Sequence, residues 1–308
     1  MKISIIGAGN VGSLSALRIA QEGLGDIVLV DIVKGLAKAK AYDLEDARQI
    51  LKYDYNIEGA EEMSRISGSD IIVVTAGFPR RPGMAREELV NKNAAILKGI
   101  CLDIKELAPE ALVVIVTNPL DLMTYFALKV TGFKPGRLFG MGISLDASRF
   151  ANLISKELNI PAGGIEATVI GSHGQGMLPL PNHTRIKGIK LDEFMDDKKI
   201  EDLLRKTVER GAEIVSLLGA GSAYFAPSAA ITQIVRAIAK DEKRILGVCA
   251  YLGGEYGIKD TCLGVPCRIG RNGIEQIVEL ELAAEEREKL HTSAESLRQS
   301  IKQLPFGL

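Results

Sequence analysis

Apolar positions along the chain follow two rhythms. Lys2–Gly7, Asp26–Asp31, Asp70–Gly77 and Leu112–Asn118 are short runs rich in Ile, Val and Leu, bounded by turn residues. Runs of this length without polar alternation read as strands buried on both faces, as in a parallel sheet. Between them lie helical stretches, among them about Val11 to Glu22 and about Lys38 to Ile50. Such alternation predicts a doubly wound α/β sheet, with Leu138–Gly142 as its last strand.

Near residue 143 the rhythm changes. Ser144–Leu158 reads as a helix, and Thr168–Gly171 as a short strand entering a Gly-rich turn. Residues 198–239 read as helices broken around Gly219-Ala220-Gly221. Ile245–Leu252, Cys262–Ile269 and Ile274–Leu280 read as antiparallel strands joined by Gly turns. A closing helix carries Leu290, Ala294, Leu297, Ile301 and Leu304 on one face. The expected architecture is α/β: a doubly wound parallel sheet over residues 1–142, then a mixed α+β domain over 143–308. No Pro/Ser linker separates the two, so they are expected to pack tightly.

Composition narrows the classes of function. The 308 residues carry 38 Lys and Arg against 39 Asp and Glu, a net charge of −1. That balance offers no basic footprint for nucleic acid. No apolar run approaches the ~18 residues of a membrane span. The first strand begins at Lys2, which leaves no room for a secretory signal, so a cytoplasmic location is expected. Four cysteines, Cys101, Cys249, Cys262 and Cys267, are too few and scattered for a disulfide framework or a zinc site. They read as small buried hydrophobes, and nothing in the sequence supports a bridge between Cys262 and Cys267.

The first chemical motif is Gly7-Ala8-Gly9-Asn10-Val11-Gly12, a full G-x-G-x-x-G between a strand and a helix. Gly7 permits the tight turn, Gly9 lets a pyrophosphate approach the backbone, and Gly12 lets helix and strand pack closely. The helix N-terminus offers free N–H groups to phosphate. Asp31 ends the second strand, where a carboxylate accepts from ribose hydroxyls and repels a 2′-phosphate, which predicts NAD over NADP. The first half is therefore read as a Rossmann-type NAD-binding domain.

Further polar groups follow the later strands. Thr75-Ala76-Gly77 leads into a Pro/Gly loop carrying Arg80, Arg81 and Arg86, whose planar guanidinium groups suit a carboxylate. Thr117-Asn118-Pro119 ends the next strand and offers an amide donor and acceptor. Asp146 and Arg149 share a helix face, and a local ion pair is their plainer reading. His173, in Gly171-Ser172-His173-Gly174, is one of three histidines and has the access a proton carrier needs. His183 and His291 read as surface or packing residues. Together these groups suit hydride transfer at a secondary alcohol: a dinucleotide takes the hydride and His173 the proton, with Asp146 holding the imidazole.

In the order and spacing of Gly7–Gly12, Asp31, Thr75–Leu89, Thr117–Pro119, Asp146–Arg149, His173-Gly174 and Gly221–Pro227, the chain resembles the lactate/malate dehydrogenases over nearly its whole length. Within that family it is most similar to the malate enzymes of lactate-dehydrogenase-like type. The resemblance implies that His173 is the acid/base and Asp146 its partner. It implies that Arg149 clamps the substrate carboxylate, Arg86 polarises the carbonyl, and Asn118 holds the reacting oxygen. Arg80 falls where the family separates its substrates, and an arginine there implies a second carboxylate, as in malate or oxaloacetate. The NAD site would be lined by the Gly7–Gly12 turn and Asp31. Thr75, Ala76, Gly77, Asn93, Thr117 and Asn118 would complete it. No metal is expected. The implied partners are a small dicarboxylate and further copies of the chain, as a homodimer or homotetramer. Two alternatives stand beside this reading: a lactate or other 2-hydroxyacid dehydrogenase, and a non-catalytic NAD-binding regulatory protein. One departure is plain: the family usually follows His-Gly with Asp and then Thr or Ser, and here Gln175-Gly176 stands instead.

Overall fold

The computed structural model describes residues 1–79, 85–219 and 221–306, with only the backbone of Arg86. The first half runs β1 (Lys2–Ile6), α1 (Asn10–Gln21), β2 (Asp26–Val30), α2 (Leu36–Leu51), β3 (Ile57–Ala60), β4 (Ile71–Val74), α3 (Arg86–Leu107), β5 (Leu112–Ile115), α4 (Leu120–Thr131) and β6 (Leu138–Gly140). Its strands pair in parallel in the order β3-β2-β1-β4-β5-β6. This doubly wound order reverses direction between β1 and β4, leaving a crevice beyond their carboxyl ends. Ile3, Ile5, Ile71, Val73 and Val113 to Ile115 are fully buried, because helices cover both sheet faces.

The second half begins with α5 (Ile143–Leu158), β7 (Ile165–Glu166), β8 (Val169–Gly171) and β9 (Met177–Pro179). There follow β10 (Arg185–Ile186), β11 (Ile189–Lys190), α6 (Asp197–Leu218) and α7 (Phe225–Ala239). The chain closes with β12 (Arg244–Gly253), β13 (Lys259–Gly270), β14 (Gly273–Ile277) and α8 (Ala284–Ile301). Strand β12 pairs antiparallel to β6 and so extends the parallel sheet through β13, β8 and β9. The two halves thus share one sheet. A second sheet of three strands, β11-β10-β7, lies apart from it.

The two sheet systems have separate cores. The larger surrounds the parallel strands, and a smaller one gathers Ile143, Phe150, Ile154 and Leu191. Helix α6 ends at Leu218 and α7 starts at Phe225, so the expected break around Gly219 is real. Helix α8 stops at Ile301, and Leu304 lies past its end, still buried at 6% exposure. All four cysteines are free and buried. Cys262 and Cys267 are five residues apart along one strand, roughly 17 Å, far beyond disulfide reach. No described helix is long and apolar enough to cross a membrane.

Candidate functional site

The glycine turn is shaped by close approach. Gly7 has φ +105°, a backbone region that favours glycine, and a Cβ there would meet the Ala76 nitrogen at 2.7 Å. A Cβ on Gly12 would collide with the Gly7 carbonyl, so α1 can only sit this close to β1 with glycine there. At Gly9, by contrast, a Cβ would meet nothing within 4 Å. That open face lies at the start of α1, which has no side-chain cap over its first N–H groups, and next to exposed Asn10 and half-buried Val11. Anion chemistry fits the end of this helix.

Asp31 faces the same turn. Its Oδ2 accepts the Ala8 N–H at 2.8 Å and its Oδ1 the Val33 N–H at 2.9 Å. A carboxylate has about four acceptor positions, so two backbone bonds leave room for two ribose hydroxyls. The residues present therefore fit a dinucleotide with a free 2′-hydroxyl.

Along the crevice, side chains tie the strand ends together. The Thr75 hydroxyl donates to the Gly7 carbonyl at 2.9 Å, and the Ala76 N–H to Ile6 at 2.9 Å. The Thr117 hydroxyl donates to the Ala76 carbonyl at 2.6 Å. Asn93 is buried at 1% exposure. Its Oδ1 accepts the Phe78 N–H at 2.6 Å, and its Nδ2 donates to the Asn118 carbonyl at 2.6 Å. Asn93 thus shapes the wall behind Gly77 with bonds to backbone. The Asn118 side chain is exposed at the mouth.

The titratable centre lies where α4, α5 and the loop after β8 meet. His173 Nδ1 is 2.7 Å from Asp146 Oδ2, and Arg149 Nη1 is 2.9 Å from Asp146 Oδ1. Asp146 has no exposed side-chain surface, while the imidazole keeps 18% and the guanidinium 12%. Because a carboxylate only accepts, the ring hydrogen belongs on Nδ1, which leaves Nε2 with a free lone pair. Burial works against a charged ring. The Asp146 charge and hydrogen bond, with the Asp121 charge, outweigh it and hold His173 above the usual histidine value; Arg149 opposes them. The plainer reading of Asp146 and Arg149 as an ion pair is correct as geometry, and the pair has a third member, His173.

Asp121 went unnoticed in the sequence. It lies in the first turn of α4, 5% exposed, and its Oδ2 accepts the backbone N–H of His173 at 2.9 Å. Burial pushes its carboxyl up to about 6, against the pull of the His173 charge, the neighbouring Cys249 thiol and the His173 backbone N–H. A signal existed: it is the one carboxylate in the apolar run Leu120-Asp121-Leu122-Met123, in a helix buried on most sides. Ser293 was missed as well. This α8 residue accepts the Ser172 N–H at 3.2 Å and lies 3.1 Å from the Gly176 carbonyl, so the closing helix holds the histidine loop. The Gln175-Gly176 departure acquires a reason. Gln175 points to solvent, and a Cβ on Gly176 would collide with the Ser172 hydroxyl and crowd Ser293 at 2.8 Å.

His183 and His291 bond to the carbonyls of Glu281 and Tyr256, in keeping with packing roles. Arg80 and the side chain of Arg86 lie outside the described residues. No cluster of His, Cys, Asp and Glu able to hold a metal occurs among the described residues.

A dinucleotide crevice in the first half and an imidazole held by a buried carboxylate in the second define an NAD-dependent oxidoreductase. Residues 1–140 match the lactate/malate dehydrogenase NAD binding domain, and residues 143–305 the lactate/malate dehydrogenase alpha/beta C-terminal domain. The chain belongs to the lactate/malate dehydrogenase family. It is 47% identical over 304 residues to malate dehydrogenase of Methanosarcina mazei, covering 99% of each chain. Among solved structures it resembles malate dehydrogenase of Cryptosporidium parvum, with TM-score 0.96, 36% identity and 98% of each chain covered. It also resembles lactate dehydrogenase of the same organism, complexed with lactic acid and nicotinamide adenine dinucleotide. There the TM-score is 0.95, with 34% identity and 99% and 98% of the two chains covered. Backbone shape therefore does not separate the two substrates.

Proposed function

We propose that the protein catalyses the reversible reaction (S)-malate + NAD ⇌ oxaloacetate + NADH + H⁺. The observation that carries this reading is Asp146, fully buried and bonded at once to His173 and Arg149. That arrangement puts a proton acceptor, His173 Nε2, beside a carboxylate-binding group. In malate oxidation Nε2 takes the hydroxyl proton, and Asp146 stabilises the imidazolium that forms. Arg149 grips the carboxylate next to the reacting carbon, and Asn118 orients the reacting oxygen. The cofactor, when bound, supplies the hydride acceptor; Gly9, the start of α1 and Asp31 hold its pyrophosphate and ribose.

Malate is favoured over lactate by Arg80, whose partner would be the second carboxylate. An arginine facing the methyl group of lactate would be left unpaired at a high desolvation cost. Arg86, at the start of α3, polarises the carbonyl. The test is kcat/KM for oxaloacetate and for pyruvate in the wild type and in Arg80→Gln, followed by NADH absorbance. A preference for oxaloacetate that falls at least tenfold in the variant supports the reading. A ratio left untouched rejects the role of Arg80, and wild-type turnover of pyruvate alone rejects malate.

The assembly we propose is a homodimer or homotetramer. Helix α2 buries only Ala37 and Ala41, with Tyr42, Ile50 and Leu51 exposed, and α6 exposes Val215, Leu217 and Leu218. Light scattering on the purified protein tests it. Four free, buried thiols suit the reducing cytoplasm.

A further inference from the structure

Beneath the histidine loop lies a second carboxylate that the reaction as described above does not use. Asp121 Oδ2 accepts the His173 N–H, but Oδ1 is buried with no hydrogen-bond partner among the described residues. The Cys249 thiol of β12 lies beside the carboxyl and is a weak donor. An acceptor for one backbone N–H does not call for a charge; an amide or hydroxyl would serve. A buried carboxylate with an orphan oxygen is costly unless an opposite charge offsets it. The groups that face it are few. Asp146 comes from α5, Cys249 from β12, and His173 from the loop after β8, while Arg149 of α5 bears on His173. Of these His173 can become positive, and its charge is the largest influence favouring the ionised Asp121.

We propose that Asp121 is a positioning residue for proton transfer, which fixes the His173 backbone through its N–H and whose negative charge favours the protonated imidazole.

The charge count explains the need. With neutral His173, the set Asp121, Asp146, Arg149 and His173 carries two negative charges and one positive, and proton uptake brings it to neutrality. Without the Asp121 charge, the same proton would leave the set with a net positive charge in a poorly solvated site. Asp146 alone is divided between Arg149 and the ring, so it does not give the imidazolium its whole charge. The inference rests on the dehydrogenase reading for its kinetic consequence, but the effect on the ring is present without substrate.

Asp121→Asn keeps an acceptor for the His173 N–H and removes the charge; Asp121→Ala removes both. The three histidines make a ring titration by NMR tractable, with the His173 signal assigned by its loss in His173→Asn. The expected result for Asp121→Asn in the cofactor-free protein is a His173 titration midpoint lower by about half a pH unit or more. The acid limb of kcat/KM for malate oxidation moves down by the same amount. For Asp121→Ala, kcat falls at least tenfold further than for Asp121→Asn, while the Kd for NADH stays within twofold. An unmoved midpoint in a folded Asp121→Asn overturns the electrostatic role. Equal kcat in Asn and Ala variants overturns the positioning role. Failure of the wild type to turn over malate would reject the substrate instead, because the NMR titration reads Asp121 independently of it.

Discussion

Replacing Asp146 by Asn tests the centre of the mechanism, because the neighbours dictate how the amide must sit. Arg149 Nη1, 2.9 Å from Oδ1, can only donate, so the amide oxygen faces Arg149 and the NH2 faces His173. His173 Nδ1 must then accept, which moves the ring hydrogen to Nε2, the atom meant to receive the substrate proton. Flipping the amide would set NH2 against the guanidinium and leave a buried donor unpaired, at about 1–3 kcal/mol. The imidazolium also loses a charge-assisted bond made at 2.7 Å, about 1.5–3 kcal/mol. Together the two effects amount to roughly 2.5–6 kcal/mol in the barrier, or a ~10²–10⁴-fold loss in kcat. The sign for pH follows: the Asp146 charge and hydrogen bond raise His173, so in the variant the acid limb of malate oxidation moves to lower pH. Steady-state kcat in both directions, with the thermal melt and the NADH Kd as controls for folding, gives the measurement. A loss under tenfold in a folded, NADH-binding variant would refute the tautomer argument.

Other changes probe the remaining parts. Asp31→Ser removes the charge facing the ribose and one of two backbone acceptors, so the NADPH/NADH ratio of kcat/KM rises at least tenfold; an unchanged ratio denies Asp31 its role. Gly12→Ala forces α1 off the Gly7 carbonyl, and a weaker NADH Kd by tenfold or more with a lower Tm is expected by fluorescence titration and calorimetry. Ser293→Ala releases the histidine loop from α8 and lowers stability in urea by about 1–2 kcal/mol, with a fall in kcat. Asp121 has a folded-state carboxyl raised from 3.8 to about 6, so its contribution to stability is fully present below about pH 4 and lost as pH rises through 6. Asp121→Asn is therefore more stable than wild type at pH 8 by about 1–3 kcal/mol, and the difference shrinks toward pH 4, as urea titrations at both pH values would show.

The parallel half was legible because its strands are buried on both faces, so their apolar runs stand out between helices. Lys2–Ile6, Asp26–Val30 and Leu112–Ile115 sit within a residue or a few of where the pattern puts them. Ile57–Ala60 escaped, since four residues that include Glu58 and Gly59 carry little strand signal. The two-residue strands β7, β10 and β11 owe their pairing to tertiary contact, and no local periodicity announces them. In the site, His173 showed itself by rarity and glycine neighbours, and Asp146 by its spacing from Arg149. Asp121 makes its contact across 52 residues of sequence, and Ser293 across 121, so no window of the chain contains either relation.

The burial of Asp146 has the same non-local origin. Ile143 opens α5 three residues before it, and its side chain fills the space left by two glycines on neighbouring strands. A Cβ on Gly264 of β13 would overlap Ile143 Cγ1, and one on Gly247 of β12 would come within 3.0 Å of its Cγ2. The Ser144 hydroxyl donates to the Gly247 carbonyl at 2.6 Å, fixing the same turn against the sheet. Helix α5 can therefore sink its first turn onto β12 and β13, which carries Asp146 out of solvent while Arg149, one turn on, keeps 12% of its side chain exposed. In water the Asp146 charge would be screened and the imidazolium would gain little from it. The proton chemistry at His173 thus depends on the absence of side chains at two strand positions more than 100 residues downstream of Asp146 in the sequence.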